Sequence, residues 1–343
     1  MRIGVLTAGG DAPGLNAAIR AIGEMAIRDG HEVMGVANGW AGLAADFAGA
    51  PLSADSLRGV IAQGGTLLGT ARFDLDRPAG GRDRVLQAID EHLDALVAIG
   101  GDGTQRISKW LADRGAPVVG VPKTLDNDLC DTEYCIGFDS AVSTVAEALD
   151  RLHTTAASHH RVMVLETMGR STGWVATMGG LAGGADLIVI PEFPVTMDQI
   201  MAHLERRVAA GLAFSIVVVA EGVPLESLGG HDPRDATTDG VGRVQYSSHS
   251  VGHFVARGVH RLTGFETRST VLGHLQRGGS PSAYDRIWAT RVGSAAYDAV
   301  LDGDWGAIPI VRSARVERAR IDQVISRVNT VPRELYELCT HFF

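Results

Sequence analysis

The sequence predicts an α/β fold of two lobes, each a mostly parallel sheet covered by helices. Three observations carry this expectation. Short apolar runs of strand type alternate with segments of helical spacing along most of the 343 residues. The turns that follow those runs are rich in glycine and carboxylate. Finally, 45% hydrophobic content with 43 glycines gives a core large enough to be split between two lobes and many turns to connect it.

In chain order, residues 3–7 read as a first strand, which enters a helix from about 15 to 29 through Gly9-Gly10-Asp11-Ala12-Pro13-Gly14. Residues 32–37 resume extended structure. Residues 95–99, 117–121, 162–166, 187–190 and 215–220 are further apolar strands, and 140–158 carry helical spacing between two of them. Residues 226–250, rich in Gly, Asp, Ser and Thr, read as a long surface loop, and the basic stretch 312–320 as a solvated helical face. The expected division is a donor-binding lobe of 1–139 plus about 252–305, a second lobe of about 140–251, and a helical tail of 306–343.

Composition excludes several functions. A net charge of -9 argues against a general nucleic-acid binder, so convergent basic residues must serve a local anion. Cys130, Cys135 and Cys339 show no CxxC spacing, which indicates neither a disulfide framework nor a zinc ribbon and points to a reducing cytoplasm. The first residues form a strand entering a glycine turn rather than a signal peptide. No apolar stretch approaches the roughly 20 residues that span a bilayer, so no membrane partner is expected.

In parallel sheets, ligands gather at the carboxyl ends of strands. The turns at 9–14, 100–104, 123–128 and 168–170, and Glu221, all follow strands. The most informative is Pro122-Lys123-Thr124-Leu125-Asp126-Asn127-Asp128. Read as extended chain, it places Thr124, Asp126 and Asp128 on one side. A hydroxyl and two carboxylates are costly to gather for packing alone, and they suit a hydroxyl to be deprotonated beside a metal–phosphate complex. Gly100-Gly101-Asp102-Gly103-Thr104 is a stronger signal than the turn at 9–14, a phosphate-cradling turn with a Mg²⁺-type carboxylate; its bland reading is a glycine turn with Asp102 capping a helix. Gly9 to Gly14 lacks the lysine and hydroxyl of a P-loop, and by itself is as good a plain tight turn as a phosphate site. His249 and His253 stand one helical turn apart and His159 and His160 are adjacent, with no third ligand in register for a metal.

These motifs occur together and in order with Met168-Gly169-Arg170 and with Leu272-Gly273-His274-Leu275-Gln276-Arg277-Gly278-Gly279. From Arg2 to about Asp302 the chain resembles the 6-phosphofructokinases; the tail beyond is poorly diagnostic. The resemblance implies two Rossmann-like lobes, a cytoplasmic enzyme of glycolysis, Mg²⁺, and transfer of a phosphoryl group to the 1-hydroxyl of fructose 6-phosphate. It makes Asp126 the general base, Thr124 a hydrogen-bond donor to the transferring group, Asp102 and Asp128 holders of Mg²⁺, and Arg170 a stabiliser of transition-state charge. Gly10, Arg72, Phe73, Gly101, Gly103, Thr104 and Lys123 fall at donor-binding positions. Arg161, Arg268, His274 and Arg277 match positions that bind the sugar's 6-phosphate, and Met168, Gly169 and Glu221 those near the sugar. In the family the counterparts of Arg161 and Arg268 reach in from an adjacent subunit, which implies a homo-oligomer, dimer or tetramer, with shared sites.

Two positions bear on the phosphoryl donor. Gly103 is the ATP-type residue, where pyrophosphate enzymes carry an Asp that opposes a nucleotide's α-phosphate. Lys123 is the residue usual in pyrophosphate enzymes. Lysine serves either donor, so Gly103 decides for ATP, with pyrophosphate as the alternative. Trp40 aligns with an aromatic that stacks on adenine in ATP-using relatives; its plain reading is a partly buried turn tryptophan. The family's effector site is degraded here: Arg20 matches one of its arginines, Glu24 replaces another, and the uncharged residues 211–215 replace its lysine-rich stretch.

Overall fold

The computed structural model describes residues 1–343 apart from 46, 78–79, 231–235, 239–243, 247–249 and 342–343. In chain order its strands and helices are β1 (Arg2–Ala8), α1 (Leu15–Arg28), β2 (Glu32–Val36), α2 (Trp40–Ala44), β3 (Gly49–Pro51), α3 (Gly81–His92), β4 (Ala95–Gly100), α4 (Asp102–Ala112), β5 (Val118–Pro122) and α5 (Phe138–His159). There follow β6 (Val162–Thr167), α6 (Trp174–Ala182), β7 (Leu187–Val189), α7 (Met197–Ala209), β8 (Ser215–Ala220), β9 (Ala236–Thr238), β10 (Val244–Tyr246), α8 (Val251–Thr263) and β11 (Thr267–Val271). Last come α9 (Ala283–Leu301), β12 (Ala307–Arg312), β13 (Arg315–Arg320), α10 (Ile321–Val324) and α11 (Arg333–Thr340). The chain divides into unit 1, Met1–Ser140 with Arg277–Asn329, and unit 2, Ala141–Gln276 with Thr330–Phe343.

Unit 1 is built on a five-stranded sheet of order β3-β2-β1-β4-β5. Its inner strands are parallel, and only the edge strand β3 runs antiparallel. β4 and β5 are apolar along their whole length and buried throughout, as strands covered on both faces must be. One face packs Ile3, Val5, Val97, Ile99 and Val121 against Leu15, Ile19 and Ile22 of α1 and Trp288, Val292 and Ala296 of α9. The other packs Leu6, Leu96 and Ala98 against Trp40, Leu43, Val85, Ile89 and Leu111. Trp40 lies 2% exposed in that second core, so its place is a packed turn and not an open platform for a base.

Unit 2 is built on a four-stranded, all-parallel sheet of order β11-β6-β8-β7. The parallel pairing of β11 with β6 explains why 251–276 belong to this unit, whereas the sequence placed the return to the first lobe near 252. Two helices of this unit, α7 and α8, are capped by short polar side chains. Thr196 and Gln199 form a reciprocal capping box on α7, and Ser250 accepts the His253 amide on α8.

The expected helical tail is largely something else. Residues 307–320 form the antiparallel hairpin β12–β13, closed at Ser313 and Ala314 with φ of 49° and 58°. Two left-handed residues make the tight hairpin turn, which normally advertises itself through Asn or Gly and here does not. The supposed basic helical face is therefore strand, and α11 alone of the tail joins unit 2. In the expected loop 226–250, the described residues hold a single 3₁₀ turn at Leu225–Leu228 and the short antiparallel pair β9–β10. His249 lies outside the described residues.

Candidate active site

In unit 1, three strand ends bring their turns together. Gly9, at φ 86°, follows β1. Its amide donates to the Ala71 carbonyl at 3.2 Å, and its carbonyl accepts the Thr70 hydroxyl at 2.8 Å, which places exposed Arg72 beside the first glycine turn. Phe73 next to it packs on the Trp40 core. Gly10 has no room for a side chain: a Cβ there would stand 2.6 Å from the Arg277 guanidinium, which donates to the Asp11 carbonyl at 2.8 Å. Arg277, expected in the sugar-phosphate set, thus belongs to unit 1 and lies on the first glycine turn.

β4 ends in Gly100 and Gly101, and α4 starts at Asp102. Gly101 lies close under the Lys123 carbonyl, 3.2 Å from where its Cβ would be. Gly103 is exposed in the first turn of the helix. Thr104 is buried and donates to the Ala8 carbonyl at 3.3 Å, tying this turn to the end of β1. Gln105, which drew no attention as sequence, donates to the carbonyls of Gly100 and Val121, both at 3.0 Å, and so locks the ends of β4 and β5. Asp102 carries an exposed ion pair with Arg106 at 2.8 Å, one helical turn on.

The third turn follows β5. Lys123, 4% exposed, points its ammonium at the Gly10 carbonyl and bonds to it. Burial, with Arg277 adding to it, pushes its pKa down to about 8 against the pull of Asp11, Asp128 and Asp126. The next residues are a turn and not the extended segment the alternation argument assumed. The Thr124 hydroxyl accepts the Asp126 amide at 3.2 Å, and Asn127 is left-handed at φ 48°. Alternation nonetheless survives in burial: Leu125 and Asn127 are buried, while Thr124, Asp126 and Asp128 are partly open. Burial raises the Asp128 carboxyl, its hydrogen bond with Thr124 opposes the rise, and the negative Asp102 adds to it. One Asp128 oxygen, Oδ1, is buried with no hydrogen-bond partner. Among the described residues no group of three or more His, Cys, Asp or Glu gathers that could hold a metal ion, so an ion held here needs oxygens from elsewhere.

In unit 2, Arg161 immediately precedes β6, and Arg268 lies in the neighbouring β11 opposite Met163, two residues further along. Both guanidiniums reach the same Glu266 Oε1, each at 2.7 Å. Glu266 was not singled out in the sequence, yet its carboxylate is what holds the two arginines as a pair, and Arg161 first, then Arg268, keep it below the ordinary range. His274 is exposed in the 3₁₀ turn Gly273–Arg277. The Met168 amide donates to buried Gln276 at 2.7 Å, and Glu221 donates its amide to Thr167 at 2.9 Å. Gly169 is at φ 135°, and the Gly222 amide donates to its carbonyl at 3.0 Å. A Cβ on Gly222 would lie 2.1 Å from the Arg170 carbonyl, so this second glycine, absent from the sequence reading, lets the turn bearing Met168, Gly169 and Arg170 close on that of Glu221. Elsewhere, Arg20 is paired with Glu24 at 2.8 Å within α1.

Comparison with known proteins converges on one family. The phosphofructokinase family model matches residues 2–300. The chain is 46% identical over 346 residues to a pyrophosphate–fructose 6-phosphate 1-phosphotransferase of Amycolatopsis methanolica, covering all of both chains. It is 44% identical over 336 residues to an ATP-dependent 6-phosphofructokinase of Corynebacterium efficiens, covering 97% of this chain and 96% of that one. Among solved structures, Pichia pastoris phosphofructokinase superposes with a TM-score of 0.81 at 31% identity over 95% of this chain, which spans 35% of that longer one. With turns, strand order and relatives in agreement, the chain belongs to the phosphofructokinase family.

Proposed function

We propose that the chain phosphorylates fructose 6-phosphate at its 1-hydroxyl, with Mg²⁺ and with ATP as donor. The observation that carries the reaction is the turn at Thr124 to Asp128: a hydroxyl bound to the Asp126 amide, a partly open carboxylate, and a second carboxylate with a buried unpaired oxygen. In this reading Asp126 accepts the proton of the 1-hydroxyl. The freed oxygen attacks the γ-phosphorus, the bond from that phosphorus to the β,γ-bridging oxygen breaks, and ADP leaves. Thr124 holds the transferring group, and Arg170 offsets its developing charge. The unpaired Asp128 oxygen and the nearby Asp102 would hold a Mg²⁺ ion, which, bound there, would supply positive charge against the donor's phosphates. Gly9, Gly10, Gly101, Gly103, Thr104, Arg72 and Lys123 form the donor set of unit 1. Arg161 and Arg268, with His274 and the Met168–Arg170 turn, form the sugar-phosphate set of unit 2, completed between subunits of a homo-oligomer.

Relatives of both donor types match at similar identity, so the donor rests on position 103. Glycine there leaves the first turn of α4 open to an α-phosphate. Pyrophosphate remains the second reading, favoured by the buried Lys123 on the Gly10 carbonyl. The test is kcat/KM for each donor at saturating fructose 6-phosphate, in wild type and in Gly103→Asp. ATP preference that collapses in the variant, with pyrophosphate use less affected, supports the reading. Wild-type preference for pyrophosphate, or full ATP efficiency in the variant, overturns it.

A further inference from the structure

The turn carrying Asp126 and Asp128 is laced along one side by the chain that follows α10. Asn329 donates its backbone amide to the Asp128 carbonyl at 2.9 Å and its side-chain Nδ2 to the Asn127 carbonyl, also at 2.9 Å. Leu129 bridges Val328 in antiparallel fashion. The Cys130 amide donates to Val324 at 3.0 Å, and its thiol to the Gln323 carbonyl at 2.9 Å. The turn needs such support. Asn127 sits in the left-handed region, its Oδ1 is buried without a partner, and its Nδ2 reaches only the Glu133 carbonyl at 3.5 Å. Two consecutive carbonyls, those of Asn127 and Asp128, are therefore pinned by one residue far away in sequence.

We propose that Asn329 is a positioning residue for phosphoryl transfer: by gripping both carbonyls it sets the direction of the Asp126 and Asp128 carboxylates. The inference rests on the role proposed for that turn. Asn329 bonds to the turn's backbone and so acts through the carboxylates. Replacing its side chain removes the bond to the Asn127 carbonyl and keeps the backbone bond to Asp128, which frees the turn to shift at Asn127 while the substrate-binding groups stay in place. A misplacement of about 1 Å at reacting groups costs on the order of 10²-fold in rate.

The experiment compares Asn329→Ala, Asn329→Asp and Asn329→Ser with Val328→Ala, a control at the preceding residue, whose side chain is half exposed. Each is assayed with ATP and with pyrophosphate, and its melting temperature is measured. In Asn329→Ala and Asn329→Asp, kcat falls about 10- to 100-fold while KM for both substrates moves less than about threefold. Asn329→Ser, which keeps a short donor, recovers part of kcat, and Val328→Ala matches wild type. Near-normal kcat in Asn329→Ala overturns the proposal, as does a loss in kcat that tracks melting temperature across the whole series. Asp126→Asn in the same assay separates the two ideas. If it keeps turnover, the reading of the turn itself fails; if it is inactive while Asn329→Ala is normal, only the positioning role fails.

Discussion

Unit 1 and unit 2 hold their charged groups in opposite ways. At the turns after β1, β4 and β5 in unit 1, Lys123 is 4% exposed and spends its ammonium on a backbone carbonyl, and an Asp128 oxygen is buried unpaired. In unit 2 the side chains of Arg161, Glu266 and Arg268 are 24%, 44% and 56% exposed, and both arginines share one Glu266 oxygen, although the Arg161 Nε is buried unpaired. A buried charge is costly unless a partner offsets it, so these turns gain most from a counter-charge. An exposed trio is cheap to keep and gains strength only when water is excluded. That contrast accords with arginines that a neighbouring subunit would cover. It also separates what each region can lose: unit 1 is sensitive in stability, unit 2 in affinity.

The largest effect expected is at the buried end of the comparison. Asp285 is fully buried and accepts the Gly137 and Ser140 amides at 2.7 Å, with the Tyr134 and Ser140 hydroxyls bonded to it as well. Asp285→Ala strands all of these donors and lowers unfolding free energy by about 3–4 kcal/mol, read from urea denaturation. A loss under about 1 kcal/mol would mean that the network is held by packing instead.

Next is the pH response of Lys123. Its folded pKa of about 8 is lower than its unfolded value, so between pH 8 and about 10.5 the unfolded chain binds more protons and stability rises with pH. Below pH 8 the full penalty, on the order of 3 kcal/mol, is present. The difference in stability between wild type and Lys123→Met should therefore climb across that window. A flat difference would place the ammonium in water.

Arg161→Ala or Arg268→Ala should weaken fructose 6-phosphate binding by about 1.5–3 kcal/mol with little change in donor affinity. If a neighbour's site is completed by these arginines, mixing inactive Asp126→Asn with Arg161→Ala protein restores activity through hybrid sites. Activity that stays additive in the mixture refutes sharing. The smallest effect belongs to Glu266→Gln, which leaves melting unchanged and moves KM for the sugar phosphate less than about threefold, as exposed ion pairs contribute little. A collapse of sugar affinity would make Glu266 indispensable to the pair and narrow the contrast between the units.

What was legible in the sequence was local. Mostly apolar strands running straight into glycine turns announce β1, β4 and their turns, and the alternating character of Thr124, Asp126 and Asp128 survives in burial even though the backbone there turns. What was hidden depends on distant partners. Nothing near Thr267 says that β11 pairs with β6 and carries 251–276 into unit 2. Ser313 and Ala314 are unremarkable letters until they adopt φ above zero. Gln105, Gly222, Glu266 and Asn329 matter through contacts to residues distant in sequence or in other elements, and no motif marks them.

The pairing of α1 with α9 has a consequence for how the protein is made. Ile19 and Ile22 of the first helix share a core with Trp288, Val292 and Tyr297, and Asp29 accepts the Tyr297 hydroxyl at 2.9 Å. A ribosome delivers α1 early and α9 only after the whole of 141–276 has emerged. At about 5–20 residues per second that interval is on the order of 10 s, far longer than helix formation or collapse takes. The nascent first unit therefore waits with an apolar helix face uncovered, while the parallel sheet of the second unit, lacking only α11, is already free to assemble.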